Sequence, residues 1–318
     1  MMKNVVLGKT GFTVSELCFG ALPMGPLQKN LSIEDGADLI AYALEKGVTF
    51  IDTAQMYRTY EMVREGVKRS GKNPVISTKC AGTSYEEMEK AVHEALAALD
   101  RKQLDIFLLH AARVGDDLFE IRAGAWQCLK DYKEKGIIKA IGASTHNVKT
   151  VLAAAKRDDV DVIFPLINKA GRGVLDGSLA DMENAIEFCH ERNIGVFFMK
   201  IVAGGTLISD FKPAFDYGMA ISKGRVSFAV GMLKKSEVDM NIKYFEGESI
   251  EDELKGLKDP GKKFFVFRAL CKKCGLCVNG CHSDAIQIDE VAACIDPDVC
   301  IRCGYCVGEC PEFAIRMI

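Results

Sequence analysis

The 318-residue chain has no run of about 18 consecutive apolar residues, which excludes an ordinary membrane-spanning helix. It has no long basic tract, and its formal net charge is −3, so it offers little counter-charge to a phosphate backbone and argues against a nucleic-acid partner. The opening, MMKNVVLGKTGF, lacks the apolar core and small-residue cleavage site of an export signal. No G-x-G-x-x-G follows the first strand-like run, which removes the usual fingerprint of an open dinucleotide-binding sheet. Tryptophan occurs once, at Trp126, in an amphipathic stretch that reads as core. Cysteine, by contrast, is abundant, with 13 residues. Without an export signal, that number points to thiols kept as metal ligands or buried groups in a reducing compartment, and the expected location is cytoplasmic. Apolar residues make up 48% and charged residues 27%, the balance of a globular chain with a sizeable core.

Short apolar runs alternate with amphipathic segments over most of the length. The strand-like runs are VSELCFG, VTFIDTA, PVISTKC, LDIFLLH, IKAIGAS, VIFPLIN, GVFFMK and RVSFAVGM. Between them, SIEDGADLIAYALEKG, SYEEMEKAVHEALAALD and DLFEIRAGAWQCLKDYKEKG have helical periodicity. The first two open on serine and the third on aspartate, all favourable N-caps, and the first and third close on glycine. Near-continuous apolar strands alternating with helices predict a parallel sheet covered by helices. Eight such units in roughly 245 residues fit a (β/α)8 TIM barrel better than an open sheet. The charged stretch FEGESIEDELKGLKDPGKKFF then reads as a short helix and a linker with a Pro-Gly break. The expected division is a barrel with its linker helix over residues 1–262 and a small cysteine-dense α+β unit over 263–318. CHSDAIQI and CPEFAIRM occupy matching places in that unit, which marks an internal duplication.

Each half of the duplication carries C-x2-C-x2-C-x3-C: Cys271, Cys274, Cys277 and Cys281, then Cys300, Cys303, Cys306 and Cys310. Three thiolates at this spacing wrap one face of a cubane cluster while the fourth reaches the other cluster. The assignment is one [4Fe-4S] centre on Cys271, Cys274, Cys277 and Cys310, and a second on Cys300, Cys303, Cys306 and Cys281. Structural zinc sites are the bland alternative, but zinc ribbons present separated C-x2-C pairs. This tail closely resembles a bacterial two-cluster ferredoxin domain, with His282 where proline usually follows the fourth cysteine. Cys18, Cys80, Cys128, Cys189 and Cys294 fall outside the pattern and read as small buried hydrophobes.

In a barrel of this type, functional groups gather where the strands end. The second run ends with Asp52, followed on the loop by Tyr57; the third ends near Lys79, and the fourth ends on His110. Three consecutive strands ending in ionisable groups are costly to bury without a purpose. A phenol is a weak acid at neutral pH unless its anion is stabilised. A lysine beside Tyr57 would lower its pKa, an aspartate behind the lysine would keep it charged, and a histidine could hold a substrate carbonyl oxygen while Tyr57 protonates it.

With Asp52, Tyr57, Lys79 and His110 in these places, with the opening LGKTGFTVSELCFGA and with GASTHN, residues 1 to about 245 resemble the aldo-keto reductase family. The resemblance implies NAD(P)H-dependent reduction of an aldehyde or ketone, or the reverse oxidation. It also implies a set of cofactor contacts. Ser144 fits the nicotinamide carboxamide position, with Thr145 next to it where asparagine is common. Phe164 stands where a glutamine is usual, while Asn168 is retained. Met199 takes the place of a stacking aromatic, with Lys200 beside it. GMLKKSEVDMN offers Gly231, Lys234, Lys235 and Asn241 for the phosphate and adenosine end, but Glu237 replaces the arginine expected for a 2′-phosphate. NADH and NADPH are therefore both carried forward.

Clusters pass single electrons and nicotinamide takes hydride, a mismatch usually bridged by flavin. Flavin stays among the cofactors considered, since barrels hold it without a short motif. The leading reading is a nicotinamide-dependent carbonyl reductase whose clusters exchange electrons with a ferredoxin- or flavoprotein-type partner. The alternatives are a reductase fed directly by the clusters, with little or no nicotinamide, and a non-catalytic carrier or sensor. Arg172, in the glycine-rich KAGRGVLDG, is the first choice for a substrate carboxylate. His93, His146 and His190 read as surface or capping residues.

Overall fold

The computed structural model describes residues 2–257, 263–312 and 314–317, with the backbone alone at Met317. The Pro260–Gly261 break, and with it the expected division after residue 262, lies outside them.

An antiparallel hairpin of β1 (Asn4–Val6) and β2 (Thr13–Ser15) comes first. The eight apolar runs then supply β3 (Leu17–Gly20), β4 (Phe50–Asp52), β5 (Val75–Cys80), β6 (Leu104–His110), β7 (Ile138–Thr145), β8 (Val162–Pro165), β9 (Gly195–Met199) and β10 (Ser227–Gly231). They close into one barrel, β10 pairing with β3, and every neighbouring pair is parallel. This is the (β/α)8 barrel that the alternation of runs predicts.

Side-chain parity places the site. Cys18, Phe50, Ile106, Leu108, Ala140, Val162, Phe164 and Phe197 point into the barrel, where Val5, Leu7 and Val14 of the hairpin segment pack with them. Their neighbours Phe19, Ile51, Phe107, Leu109, Ile141, Ile163 and Phe198 point outward into the helical layer. With a period of two, the inward set continues to Asp52 after Phe50 and to His110 after Leu108, at the carboxyl ends of their strands.

The outer layer is α1 (Ile33–Glu45), α2 (Tyr60–Ser70), α3 (Tyr85–Ala98), α4 (Leu118–Ile121), α5 (Ala123–Glu134), α6 (Val148–Ala155), α7 (Leu179–Glu191), α8 (Phe211–Ser222) and α9 (Lys235–Glu246). Ser32 caps α1 through the Asp35 amide at 3.0 Å, and Ser84 and Glu87 form a reciprocal capping box on α3. The third expected helix is broken. Asp117 makes no side-chain cap, and the chain leaves helical geometry at Arg122, dividing α4 from α5. Arg122 instead donates to the His110 carbonyl at 3.0 Å, tying the break to the end of β6. No helix among the described residues is long and apolar enough to cross a membrane.

The tail follows α10 (Glu251–Gly256) and contains β11 (Phe264–Val266), α11 (Leu276–Asn279), β12 (Ile286–Ile288), β13 (Ala293–Ile295), α12 (Tyr305–Gly308) and β14 (Ile315–Met317). β11 pairs with β14 and β12 with β13, both antiparallel. The duplication is visible in the backbone: Lys273 and Arg302 have φ of 53° and 52°, and Gly275 and Gly304 have φ of 80° and 86°. The tail lies against the carboxyl end of the barrel. Ile301, Cys303 and Tyr305 pack with Ala54, Tyr57 and Leu166 in one buried apolar cluster. Gln28 donates to the Cys303 carbonyl at 3.3 Å, and Arg113 pairs with Asp284 and donates to the Cys281 carbonyl.

Candidate active site

Lys79 donates to both carboxylate oxygens of Asp52, at 2.8 and 2.7 Å, and to the Thr53 carbonyl at 2.8 Å. Burial pushes the Asp52 carboxyl up, opposed by Lys79, and pushes the Lys79 ammonium down, opposed by Asp52. Tyr57 closes a single 3-10 turn (Gln55–Tyr57) held by its amide to the Ala54 carbonyl, and its ring lies 4.8 Å from the Lys79 Nζ. On the other side, the Tyr57 and His110 rings meet edge to face at 6.0 Å. Burial and the nearby Lys79 and His282 hold His110 well below the usual imidazole range, so it is neutral at neutral pH. Its Nδ1 is buried without a hydrogen-bond partner among the described residues.

The expectation that Lys79 lowers the Tyr57 pKa is corrected by this geometry. Burial, then Tyr305, pushes the phenol well up, and Lys79 faces the ring. Tyr57 therefore holds its proton, as a group must that is to give one to a substrate oxygen. His146 is also corrected. It is buried rather than on the surface, its Nδ1 lies 3.0 Å from the His282 carbonyl, and the cap of α6 is Asn147.

Two residues of this constellation were not among the sequence candidates for the barrel chemistry. The Tyr305 hydroxyl donates to the Tyr57 hydroxyl at 3.3 Å and lies 3.4 Å from His110 Nε2. His282 stacks on Tyr305, with ring centroids 4.0 Å apart. A signal did exist for both. Aligning the two cysteine runs sets Tyr305 against Leu276 and His282 against Pro311, and these are departures from internal symmetry.

In the tail, Cys271, Cys274, Cys277 and Cys310 line one small cavity, walled by apolar groups including Val266, Ile288 and Ile315. Cys277, Cys281 and Cys306 lie in one buried cluster, with Cys271, Cys300 and Cys310 packed against it. Amide N–H groups point at sulfur in both sets: Lys273 and Ala293 at Cys271 and Arg302 at Cys300, each at 3.4 Å, and Ala285 at Cys281 at 3.3 Å. Cysteines gathered in one buried cluster, with amide donors and apolar walls, fit iron–sulfur ligation, although among the described residues no three metal-ligating side chains are set around a single ion. Cys18, Cys80, Cys128 and Cys189 are buried as expected; Cys294 is not, and bonds to Asp289 and Arg268.

Several of the residues carried forward for a dinucleotide are engaged by other groups of the chain. Met199 packs against the cluster containing Ile301, Cys303 and Tyr305. Lys200 has a left-handed φ of 64°; burial pushes its ammonium down while Cys303 and Cys300 hold it up. The Asn168 side chain is spent on its own loop, accepting from the Ala170 and Arg172 amides and donating to the Arg172 carbonyl. Phe164 stacks on Phe197 at 3.8 Å. A Cβ on Gly231 would stand 2.3 Å from Pro23, so that approach is filled. Lys234 and Lys235 begin α9, but Glu237 places its own carboxylate there by accepting from the Leu233 amide at 2.7 Å. Ser144 lies beside His110 in the sheet register, and Asn241 donates to the Glu237 carbonyl while its Oδ1 is buried without a partner among the described residues.

A closed parallel barrel with ionisable groups gathered at its carboxyl end, joined to a cysteine-rich tail, defines a barrel oxidoreductase carrying an iron–sulfur unit. Residues 16–225 match the Aldo/keto reductase family, and residues 293–316 match the 4Fe-4S binding domain. The chain belongs to the aldo/keto reductase family. It is 24% identical over 245 residues to L-galactose dehydrogenase of Arabidopsis thaliana, spanning 72% of this chain and 76% of that protein. It is 27% identical over 205 residues to probable aldo-keto reductase 1 of Glycine max, spanning 55% of this chain and 58% of that one. Among solved structures, an aldo-keto reductase from Bacillus halodurans in its holo form superposes with a TM-score of 0.64 at 19% identity, over 80% of this chain and 95% of its own. An aldo/keto reductase from Brucella melitensis gives 0.59 at 18%, over 80% and 98%. These likenesses show the shared barrel fold.

Proposed function

We propose that this protein interconverts an aldehyde or ketone with its alcohol at Tyr57, with electrons exchanged through the tail. The carrying observation is the buried constellation itself: the Tyr57 phenol meets the His110 imidazole edge to face, above a Lys79 ammonium held by two hydrogen bonds to Asp52 and one to the Thr53 carbonyl. His110 would position the carbonyl oxygen and Tyr57 would hold the proton delivered to it, while Asp52 and Thr53 fix Lys79 against the Tyr57 ring. A carbonyl/alcohol pair also suits the dehydrogenase and reductase names of the relatives.

In the tail, Cys271, Cys274, Cys277 and Cys310 would hold one [4Fe-4S] cluster, and Cys300, Cys303, Cys306 and Cys281 a second. When bound, such clusters take up or release electrons singly. A small acidic ferredoxin- or flavodoxin-type carrier would meet the face around Cys274, where Lys272, Lys273 and Leu276 are exposed. Glu312 is the carboxylate that lines the same cavity as these lysines, so the positive charge of the face comes from Lys272 and Lys273.

The test is alcohol formation by the anaerobically prepared chain, with NADH, NADPH and chemically reduced protein each offered as reductant. Tyr57→Phe should lower turnover by about 10²–10⁴-fold. Retained turnover would remove Tyr57 as the proton donor and overturn the reading.

A further inference from the structure

Resting on the reading that Tyr57 and His110 meet the substrate oxygen, we propose that in this protein the tail stands where a nicotinamide would stand, and that the barrel receives electrons from the tail rather than hydride from a dinucleotide.

The first support is occupancy. Ile301 and Cys303 pack with Leu166, Tyr57 and Met199 over the barrel mouth, which is the region carried forward for the nicotinamide ring. Tyr305 places its hydroxyl 3.3 Å from the Tyr57 hydroxyl and 3.4 Å from His110 Nε2, the position assigned to a reacting oxygen. A nicotinamide ring and the segment Ile301–Tyr305 cannot both lie there.

The second is a fitted seat. Gly204, at φ +67°, comes so close that a Cβ would stand 1.7 Å from the Ile301 carbonyl oxygen, and Gly304, at φ +86°, so close that one would stand 2.4 Å from the Leu27 carbonyl oxygen. Both contacts need glycine, one from each side of the junction. Because this seat is made by backbone, Ile301 and Cys303 are fixed over the mouth, whereas the Tyr305 hydroxyl is held by long contacts of 3.3 and 3.4 Å and is the group that an entering carbonyl oxygen would displace.

The third is asymmetry within the duplication. The second run has Ile301 and Tyr305, both buried against the barrel, where the first has Lys272 and Leu276, both exposed. One half of a repeated unit is shaped for the barrel mouth and the other for solvent, which gives electrons an entry side and a delivery side.

The electron count agrees. Converting a carbonyl to an alcohol breaks the C=O π bond, forms one C–H and one O–H bond, and takes two electrons and two protons. A tail with ligands for two one-electron centres can hold that pair, drawn from an external reductant of the ferredoxin or flavodoxin class. The first electron, with the Tyr57 proton, would give a neutral ketyl, and the second, with a proton from water admitted with the substrate, would complete the C–H bond, so that each electron arrives with its own proton. No hydride is required, so no flavin is needed to convert single electrons into hydride.

The experiment uses the full chain with both clusters loaded under anaerobic conditions. Calorimetric titration with NADH and NADPH should show no binding up to about 1 mM, the upper end of ordinary substrate affinities. Protein reduced with dithionite and desalted should recover its oxidised cluster absorbance when a conjugated 1,2-dicarbonyl, diacetyl or isatin, is added, since their one-electron couples lie within reach of such clusters. Gly204→Ala should slow that recovery about a hundredfold by shifting the seat, with the cluster spectrum unchanged because no ligand is touched. Gln28→Ala, which loses only the bond to the Cys303 carbonyl, should slow it less and serves as a milder variant if Gly204→Ala folds poorly. Binding of either dinucleotide by the wild-type chain, no recovery with either carbonyl, or equal recovery in wild type and both variants would each overturn the proposal. NADPH-driven, Tyr57-dependent turnover by cluster-free chain would overturn it too while leaving the Tyr57 chemistry intact.

Discussion

Replacing Lys79 with methionine isolates the cost of the buried pair beneath Tyr57. Lys79 and Asp52 are 1% and 4% exposed, and their charges stand 2.7 Å apart. At an effective dielectric of about 20, charges at that separation attract by roughly 6 kcal/mol. Desolvation of two ions offsets several kcal/mol each, so the net worth of the intact pair is small. Burial drives the Asp52 carboxyl up and the Lys79 ammonium down, the directions expected when desolvation outweighs attraction. Removing one partner is a different matter, because the other stays buried and uncompensated, at a cost of about 3–5 kcal/mol. For a barrel of this size that lowers the midpoint of thermal unfolding by roughly 10 °C. Asp52→Asn should behave similarly, since it strands the Lys79 ammonium. The double variant Asp52→Asn/Lys79→Met should be less damaging than the sum of the singles by about 2 kcal/mol or more. Scanning calorimetry of the four proteins provides the cycle. Single variants that each lose less than about 1 kcal/mol, or a double variant equal to their sum, would refute the reasoning.

Iron analysis should find about eight iron atoms per wild-type chain, and about four in both Cys281→Ser and Cys310→Ser, if each carries the crossing ligand of one cluster. Cys294→Ser should retain the full content, because Cys294 bonds to Asp289 and Arg268 instead. Burial pushes His190 down to about 4, with its Nε2 buried and unpartnered among the described residues. The unfolded chain takes up that proton near pH 6.5, so this contribution to stability is complete above 6.5 and is lost as pH falls towards 4. A His190→Gln variant should therefore lose stability less steeply between pH 6.5 and 4 in denaturant titrations; an unchanged slope would contradict the assignment.

The barrel was legible because its signals are local. Strands such as LDIFLLH alternate inward and outward residues with period two, and that parity carries His110 to the carboxyl end of β6, inside the mouth. The cysteine spacing was legible for the same reason. The broken helix at Arg122 was not: Gly124 stands two residues beyond it, but the Arg122 side chain bonds to the His110 carbonyl, a contact that periodicity does not describe. His146 was misread because its burial comes from the tail, through the His282 carbonyl 136 residues away in the chain. Tyr305 is separated from Tyr57 by 248 residues, and within CGYC it reads as filler between ligands. Contacts of that kind depend on how two units meet, which periodicity does not describe. Only the comparison of the two halves, tyrosine against Leu276 and isoleucine against Lys272, carried a trace of it.

The central claim is that Tyr57 and the cluster-bearing tail serve one reaction. The most direct measurement is the anaerobic reoxidation of the reduced, dithionite-free chain by a carbonyl compound, followed by cluster absorbance in wild type and Tyr57→Phe. The account predicts recovery of the oxidised spectrum in wild type, with the corresponding alcohol formed, and a rate lower by about 10²–10⁴-fold in the variant. Equal rates in the two proteins would contradict it.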